Sequence, residues 1–340
     1  MRRGHRFLAS TLGNLAAAGA GRGLRSARRS GVEDEEPLGT IRGNVEWVSG
    51  TGGSRIYTES FPGSDPRGGT VVLTHGWCLT EAAWHHQKRD LGRGRHTVVT
   101  WDLPGHGRST GGADGASLEL ATDALAAVLR RHEGRPILLV GHSLGGVVTL
   151  AGLARGLSAD VRGAILVSTP LMHLAASAAG SWLGAGLETR LLARAMRSAV
   201  ESRLTERALS ASAGRDRGDL AYRIVRVGFG RDVPASHVRF VRDLIASVPP
   251  AVRAETYRTM TGRDLRPLLP SVRVPVLVVI GTRDRVVNPE ESRALGRALR
   301  LARTLELDGV GHAAFLEDPV RFNDEVRRCA DALLLERGQP

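Results

Sequence analysis

Ser143 stands in Gly141-His142-Ser143-Leu144-Gly145-Gly146, directly after the apolar run Ile137 to Val140. A short unbroken apolar run reads as a strand buried on both faces, and Gly146 to Arg155 suit a helix. Strand, G-x-S-x-G turn and helix in that order would lift one hydroxyl clear of a sheet edge. The backbone must turn sharply at the serine, where side chains two positions to either side would collide. Glycine at 141 and 145 removes them, and Gly146 lets the helix lie close on the sheet. The chemistry open to such a hydroxyl is nucleophilic attack. That requires a base to take its proton, an acid to orient the base, and donors for the developing oxyanion. The five residues alone are a common pattern, so these partners decide the matter.

Of the 11 histidines, His312 is the candidate base. It lies in Gly309-Val310-Gly311-His312-Ala313-Ala314-Phe315, just beyond the last predicted strand, and small neighbours let the loop carry the imidazole over a sheet edge. His75 and His142 stand nearer the serine in pattern. His75, however, opens a turn suited to oxyanion donors, and His142 takes a variable position in the elbow, with no role expected of it. His106 is expected to support its own turn, Asp102 to Ser109. The candidate acid is Asp284, in the loop Gly281-Thr282-Arg283-Asp284 after the strand Pro275–Ile280, where its carboxylate can reach a histidine loop one strand away. The other common place for an acid holds Ser168-Thr169-Pro170 and offers no carboxylate. Asp308 and Glu317 flank His312, but they read as a strand terminus and a helix start. The expected oxyanion donors are the main-chain N–H groups of Leu144 and of Trp77, the latter in His75-Gly76-Trp77 after the strand Thr70–Thr74.

These residues must be positioned by alternating elements. Val45–Ser49 and Arg55–Phe61 read as an opening antiparallel hairpin. Strands follow at Thr70–Thr74, Thr97–Trp101, Ile137–Val140 and Ala164–Val167, with helices at Glu81–Leu91, Ser117–Arg131 and Gly146–Arg155. From Leu171 to Pro270 the pattern is helical and irregular. Alternation then resumes with strands Pro275–Ile280 and Thr304–Leu307 and helices Glu290–Arg300 and Pro319–Leu335. Such alternation on both sides of an interruption predicts an α/β fold, a mostly parallel, doubly wound sheet with a helical insertion. All the proposed groups then fall at the carboxyl ends of the strands, where open parallel sheets place their sites.

Over 340 residues, 42% are hydrophobic and 24% charged, the composition of a soluble globular protein. The formal charge of +12 comes almost wholly from arginine, with Lys88 the one lysine. No nucleic-acid-binding motif accompanies it, so a solvated surface is the reading and no nucleic-acid partner is expected. Cys78 and Cys329 belong to no C-x-x-C pair, and a reduced, cytoplasmic protein is expected. No metal-binding spacing is present, and neither metal nor cofactor is expected. Residues 1–40 form a basic, Gly/Ala-rich tail. Its short apolar middle makes export the alternative location, and its arginines make peripheral membrane contact the alternative partner. No segment is apolar and long enough to span a bilayer.

The chain resembles the α/β-hydrolase superfamily, in the branch with a short His-Gly-X oxyanion turn. The matches are His75-Gly76-Trp77, Asp102-Leu103-Pro104-Gly105-His106-Gly107-Arg108-Ser109, Gly141-His142-Ser143-Leu144-Gly145-Gly146, Gly281-Thr282-Arg283-Asp284 and Gly311-His312, in the family's order of serine, acid, histidine. The resemblance implies a hydrolase core at 41–170 and 271–338 with a helical cap, or lid, at 171–270. Within that cap, Leu187–Glu201 carries Arg190, Arg194, Arg197 and Glu201 on one helical face, suited to a wet surface or, alternatively, to anionic lipid or acidic substrates. A serine nucleophile disfavours the family's dehalogenase and epoxide-hydrolase chemistry. The expectation is an esterase- or lipase-like enzyme cleaving a small-molecule ester with an apolar acyl group, or a thioester, through an acyl-enzyme. An acyltransferase, a carbon–carbon bond hydrolase, a cofactor-free haloperoxidase-like enzyme and a non-catalytic ligand-binding member are the alternatives.

Overall fold

The computed structural model describes residues 36–111, 116–171, 220–230, 233–261 and 264–335. Residues 1–35 of the basic tail and the expected helix at Leu187–Glu201 lie outside the described residues.

Eight strands form one sheet: β1 (Asn44–Ser49), β2 (Arg55–Phe61), β3 (Thr70–Thr74), β4 (Thr97–Trp101), β5 (Ile137–His142), β6 (Val161–Val167), β7 (Val276–Gly281) and β8 (Ala302–Leu307). Their order is β1-β2-β4-β3-β5-β6-β7-β8. β1 pairs antiparallel with β2, in register from Asn44 opposite Ser60 to Ser49 opposite Arg55, and β2 pairs antiparallel with β4. Every later pairing is parallel.

The central strands are apolar without alternation because both of their faces are covered. Val72 of β3, Ile137 and Leu139 of β5, Leu166 of β6 and Val278 of β7 enter one core. Their neighbours Val71, Leu73, Leu138, Val140, Ile165, Val167, Leu277 and Val279 enter the other. This split follows the two-residue period of a strand. Each such side chain, fully buried, contributes roughly 1.5–3 kcal/mol of transfer free energy.

The first core is closed by α2 (Leu118–Arg130), through Leu125 and Val128, by α3 (Leu144–Arg155), through Val147 and Val148, and by Leu295 of α7 (Pro289–Ala298). Ser117 caps α2 by accepting the Leu120 N–H, and Asn288 caps α7 by accepting that of Glu290. The second core is closed by α1 (His85–Leu91), the single turn α8 (Ala314–Glu317) and α9 (Pro319–Leu334), through Leu91, Phe315, Phe322, Val326 and Ala330. The helix expected over Glu81–Leu91 divides in two. A 3-10 turn at Glu81–Trp84 precedes α1, because Thr80 caps Ala82 while Asp102 takes the N–H of Glu81.

Between β6 and β7 the chain forms α4 (Leu220–Val227), α5 (Ala235–Ser247) and α6 (Pro250–Thr261). Phe229 and Val238 of this insertion are buried in the second core. Cys78 and Cys329 are buried free thiols. Among the described residues no helix is long and apolar enough to cross a membrane, and no three His, Cys, Asp or Glu side chains are grouped to hold a metal.

Candidate active site

Ser143 occupies the junction of β5 and α3 with φ 52° and ψ −113°. A side-chain-bearing residue in that region is strained by on the order of 1–3 kcal/mol and persists only where its surroundings over-determine it. Here the Ser143 N–H donates to Val167 O at 2.9 Å, and its carbonyl accepts from Gly146 and Val147 at 3.0 and 3.2 Å. The flanking glycines make this approach feasible. A Cβ at 141 would lie 2.5 Å from Gly145 O, and one at 145 would strike the carbonyls of Thr74 and His75. Ser143 itself is buried. Leu144 opens α3, and the first N–H groups of a helix have no partner within it.

β7 and the loop after β8 meet through their backbones. A Cβ at Gly281 would collide with Gly311 O, and Arg283 N–H donates to Val310 O at 2.8 Å. This contact sets Asp284 beside His312, whose Nδ1 lies 2.8 Å from Asp284 Oδ2. The other carboxylate oxygen accepts the N–H groups of Val286 and Val287 at 2.8 and 2.9 Å. A carboxylate so held accepts the Nδ1 proton and leaves Nε2 of His312 with its lone pair. The structure thus brings Asp284 and His312 together. It also sets His312 against the elbow, since the His142 and His312 ring centroids are 4.7 Å apart.

On the other side of β5, the turn after β3 carries Trp77. His75 is wholly buried, donates Nδ1–H to Gly76 O at 2.8 Å and accepts the Leu103 N–H at Nε2 at 3.0 Å. Burial, and then the nearby His106, push its pKa down to about 3, so it remains a neutral strut. His106 braces its own turn through Nδ1 to Pro104 O at 3.1 Å, and burial lowers it to about 4. Asp102 accepts from Glu81 N and Arg108 N, each at 2.8 Å, while burial raises its carboxyl to about 7. The Asp102–Ser109 segment therefore braces the Trp77 turn through the bond from Leu103 N–H to His75, and its Leu103, Pro104 and His106 line a small cavity together with Leu144.

Several contacts escape a reading of motifs. The indole Nε1–H of Trp77 donates to Arg253 O of α6 at 3.0 Å, and its ring lies 5.7 Å from that of Tyr257. The His312 N–H donates to Gly228 O in the insertion at 2.7 Å. Glu317, expected only to begin a helix, accepts from Gly230 N at 2.8 Å, from Gly311 N at 3.0 Å and from Ala313 N at 3.3 Å. His142, expected to have no role, lies with Nε2 3.0 Å from His312 O. Apart from Gly311 and Ala313, which lie close to Glu317 in sequence, the partners of these groups are main-chain atoms far away in the chain, which no motif spells out. Asp308 is held by Thr282 Oγ1 at 3.1 Å at the end of β8, away from the imidazole's partner.

Residues 71–325 match the model of the alpha/beta hydrolase family. A pimeloyl-[acyl-carrier protein] methyl ester esterase of Methylococcus capsulatus is 30% identical over 256 residues, which covers 74% of this chain and 90% of that one. The AB hydrolase superfamily protein YisY of Bacillus subtilis is 22% identical over 265 residues, covering 78% and 92%. Among solved structures, an esterase from Exiguobacterium antarcticum superposes with a TM-score of 0.66 at 19% identity, covering 84% of this chain and 98% of that one. With its sheet order, its strained serine turn and a family match over three quarters of its length, the chain belongs to the alpha/beta hydrolase family.

Proposed function

We propose that the protein is a serine hydrolase that cleaves a carboxylic ester, or a thioester, through an acyl-enzyme on Ser143. The observation that carries this reading is the Asp284–His312 pair at 2.8 Å, with the second Asp284 oxygen occupied by two main-chain donors. That arrangement supports His312 as the base, with Nε2 as the acceptor, and the 4.7 Å between the His142 and His312 rings supports its being turned toward the serine elbow. The name of the Methylococcus capsulatus relative, a methyl ester esterase, supports an ester as the bond attacked.

Ser143 Oγ attacks the carbonyl carbon while its proton passes to His312 Nε2. The carbonyl oxygen, now an anion, is received by the N–H groups of Leu144 and Trp77, and each such donor is worth about 3–4 kcal/mol of barrier in comparable enzymes. Collapse of the tetrahedral species breaks the bond to the leaving oxygen or sulfur, which takes the proton from His312. Water then repeats the sequence on the acyl-enzyme and regenerates Ser143. Asp284 orients the ring and stabilises its charged form without itself taking the proton. The helices inserted between β6 and β7 serve as the cap over the site, supported by the bonds from Trp77 to Arg253 and from His312 to Gly228. The substrate is a small ester with an apolar acyl group, and the two buried free thiols support a reduced, cytoplasmic setting.

The test is hydrolysis of a series of p-nitrophenyl acyl esters by the wild type, Ser143→Ala and His312→Ala, with and without an added acceptor alcohol. The reading expects turnover by the wild type alone, with free acid as the product at every alcohol concentration. Equal turnover by Ser143→Ala would overturn it, and an ester product that dominates over acid would make the enzyme an acyltransferase.

A further inference from the structure

His142 precedes Ser143 at the end of β5, and its side chain is 2% exposed. Its Nε2 lies 3.0 Å from the main-chain oxygen of His312. A carbonyl only accepts, so Nε2 carries the proton and donates. Nδ1 is then bare and has no partner among the described residues. It faces the turn before Trp77, where a Cβ added at Gly76 would lie 2.5 Å away. The ring also packs 4.7 Å from the His312 ring and 4.8 Å, edge to face, from Phe315. Burial holds this imidazole well below its usual range, with the neighbouring His312 adding to the effect, so the donor keeps one form.

His312 is tethered through three groups: its N–H to Gly228 O, its ring to Asp284 and its carbonyl to His142. The first two anchors belong to the insertion and to the loop after β7. Only the third reaches the strand that carries Ser143. We propose that His142 is a positioning residue, which sets the His312 loop against the Ser143 elbow and the Gly76-Trp77 turn and so fixes the distance between base and nucleophile. The inference rests on the serine-hydrolase reading above.

The test compares His142→Phe, which keeps an aromatic ring but no donor, with His142→Gln, whose amide can restore a donor within reach of His312 O. Steady-state hydrolysis of p-nitrophenyl butyrate is normalised to folded protein by thermal melting. Labelling by a fluorophosphonate probe and hydrogen exchange of residues 309–316 are followed in parallel. Misplacing a reacting group by about 1 Å costs up to about 100-fold in rate. His142→Phe is therefore expected to lose roughly 10- to 100-fold in kcat and in labelling rate, with KM within about twofold and faster exchange in the loop. His142→Gln is expected to recover most of the rate. Wild-type kcat, labelling and exchange in His142→Phe would overturn the proposal, as would a loss that Gln does not restore. Should His142→Phe fail to fold, His142→Met, similarly lacking the donor, replaces it under the same criteria. A wild type without Ser143-dependent labelling would overturn the hydrolase reading instead, and the exchange comparison would still decide whether His142 holds the loop.

Discussion

Replacing Asp284 by Asn tests how the imidazole is oriented. In the native site Oδ1 of Asp284 accepts from Val286 and Val287 at 2.8 and 2.9 Å, while Oδ2 accepts from His312 Nδ1 at 2.8 Å. An asparagine must keep its single oxygen toward the two main-chain donors, because turning it would set an NH2 group against both N–H groups. The NH2 therefore faces His312 Nδ1, which can meet a donor only as an acceptor. The ring proton moves to Nε2, and the atom that should take the serine proton is already occupied. A wrong-tautomer lesion of this kind costs about 10⁴-fold in kcat where it has been measured, equivalent to about 5.4 kcal/mol of barrier. The side chain is isosteric and its main-chain bonds persist, so the fold is expected to survive with a melting temperature close to that of the wild type. The assay is ester hydrolysis at neutral pH, with circular dichroism melting as the control. A folded Asp284→Asn enzyme that retained activity within about tenfold of the wild type would refute the orientation argument.

Other outcomes follow from the same contacts. Trp77→Phe keeps the main-chain N–H and loses only the indole bond to Arg253 O, worth about 0.5–1.5 kcal/mol. Its kcat/KM should fall by roughly tenfold at most, and a fall beyond about 100-fold would move the role from the main chain to the side chain. Glu317→Gln removes a charged acceptor shared by Gly230, Gly311 and Ala313, and should lower stability by about 2–4 kcal/mol in urea unfolding. A change below about 0.5 kcal/mol would count against a clamp between the His312 loop and the insertion. Acid should destabilise the fold because His75, at about 3, His106, at about 4, and the depressed His142 stay neutral when native but take protons near pH 6.5 when unfolded. Stability present above pH 6.5 is therefore lost as pH falls toward the native values, at about 1.4 kcal/mol per unit for each group. Asp102, raised to about 7, acts in the opposite sense over the same window and offsets one of them. The net slope expected between pH 6 and pH 5 is roughly 2–3 kcal/mol per unit, and a flat urea midpoint over that range would contradict it.

Most of the scaffold was legible because its central strands are short apolar runs and its opening hairpin strands alternate. Thr70–Thr74, Thr97–Trp101 and Arg55–Phe61 fall where their residues predict. Edges differ where backbone bonds rather than side chains decide. β6 begins at Val161, three residues before the apolar run at Ala164, because pairing with Ile137 of β5 extends it. The residues of the site were legible wherever a turn demanded glycine, as at Gly141, Gly145 and Gly281. What holds them together was not. Gly228, Arg253 and His312 take part through main-chain atoms, and Glu317 collects N–H groups from its own loop and from the distant Gly230. Such bonds leave no residue pattern behind.

The proposed role of Ser143 as nucleophile is open to a direct chemical test. Reaction with a fluorophosphonate followed by peptide mass spectrometry tests it most directly. One covalent adduct is expected on the peptide carrying Gly141 to Gly146, mapped to Ser143 and abolished in Ser143→Ala. A folded wild type that forms no adduct, or forms it on another residue, would contradict it.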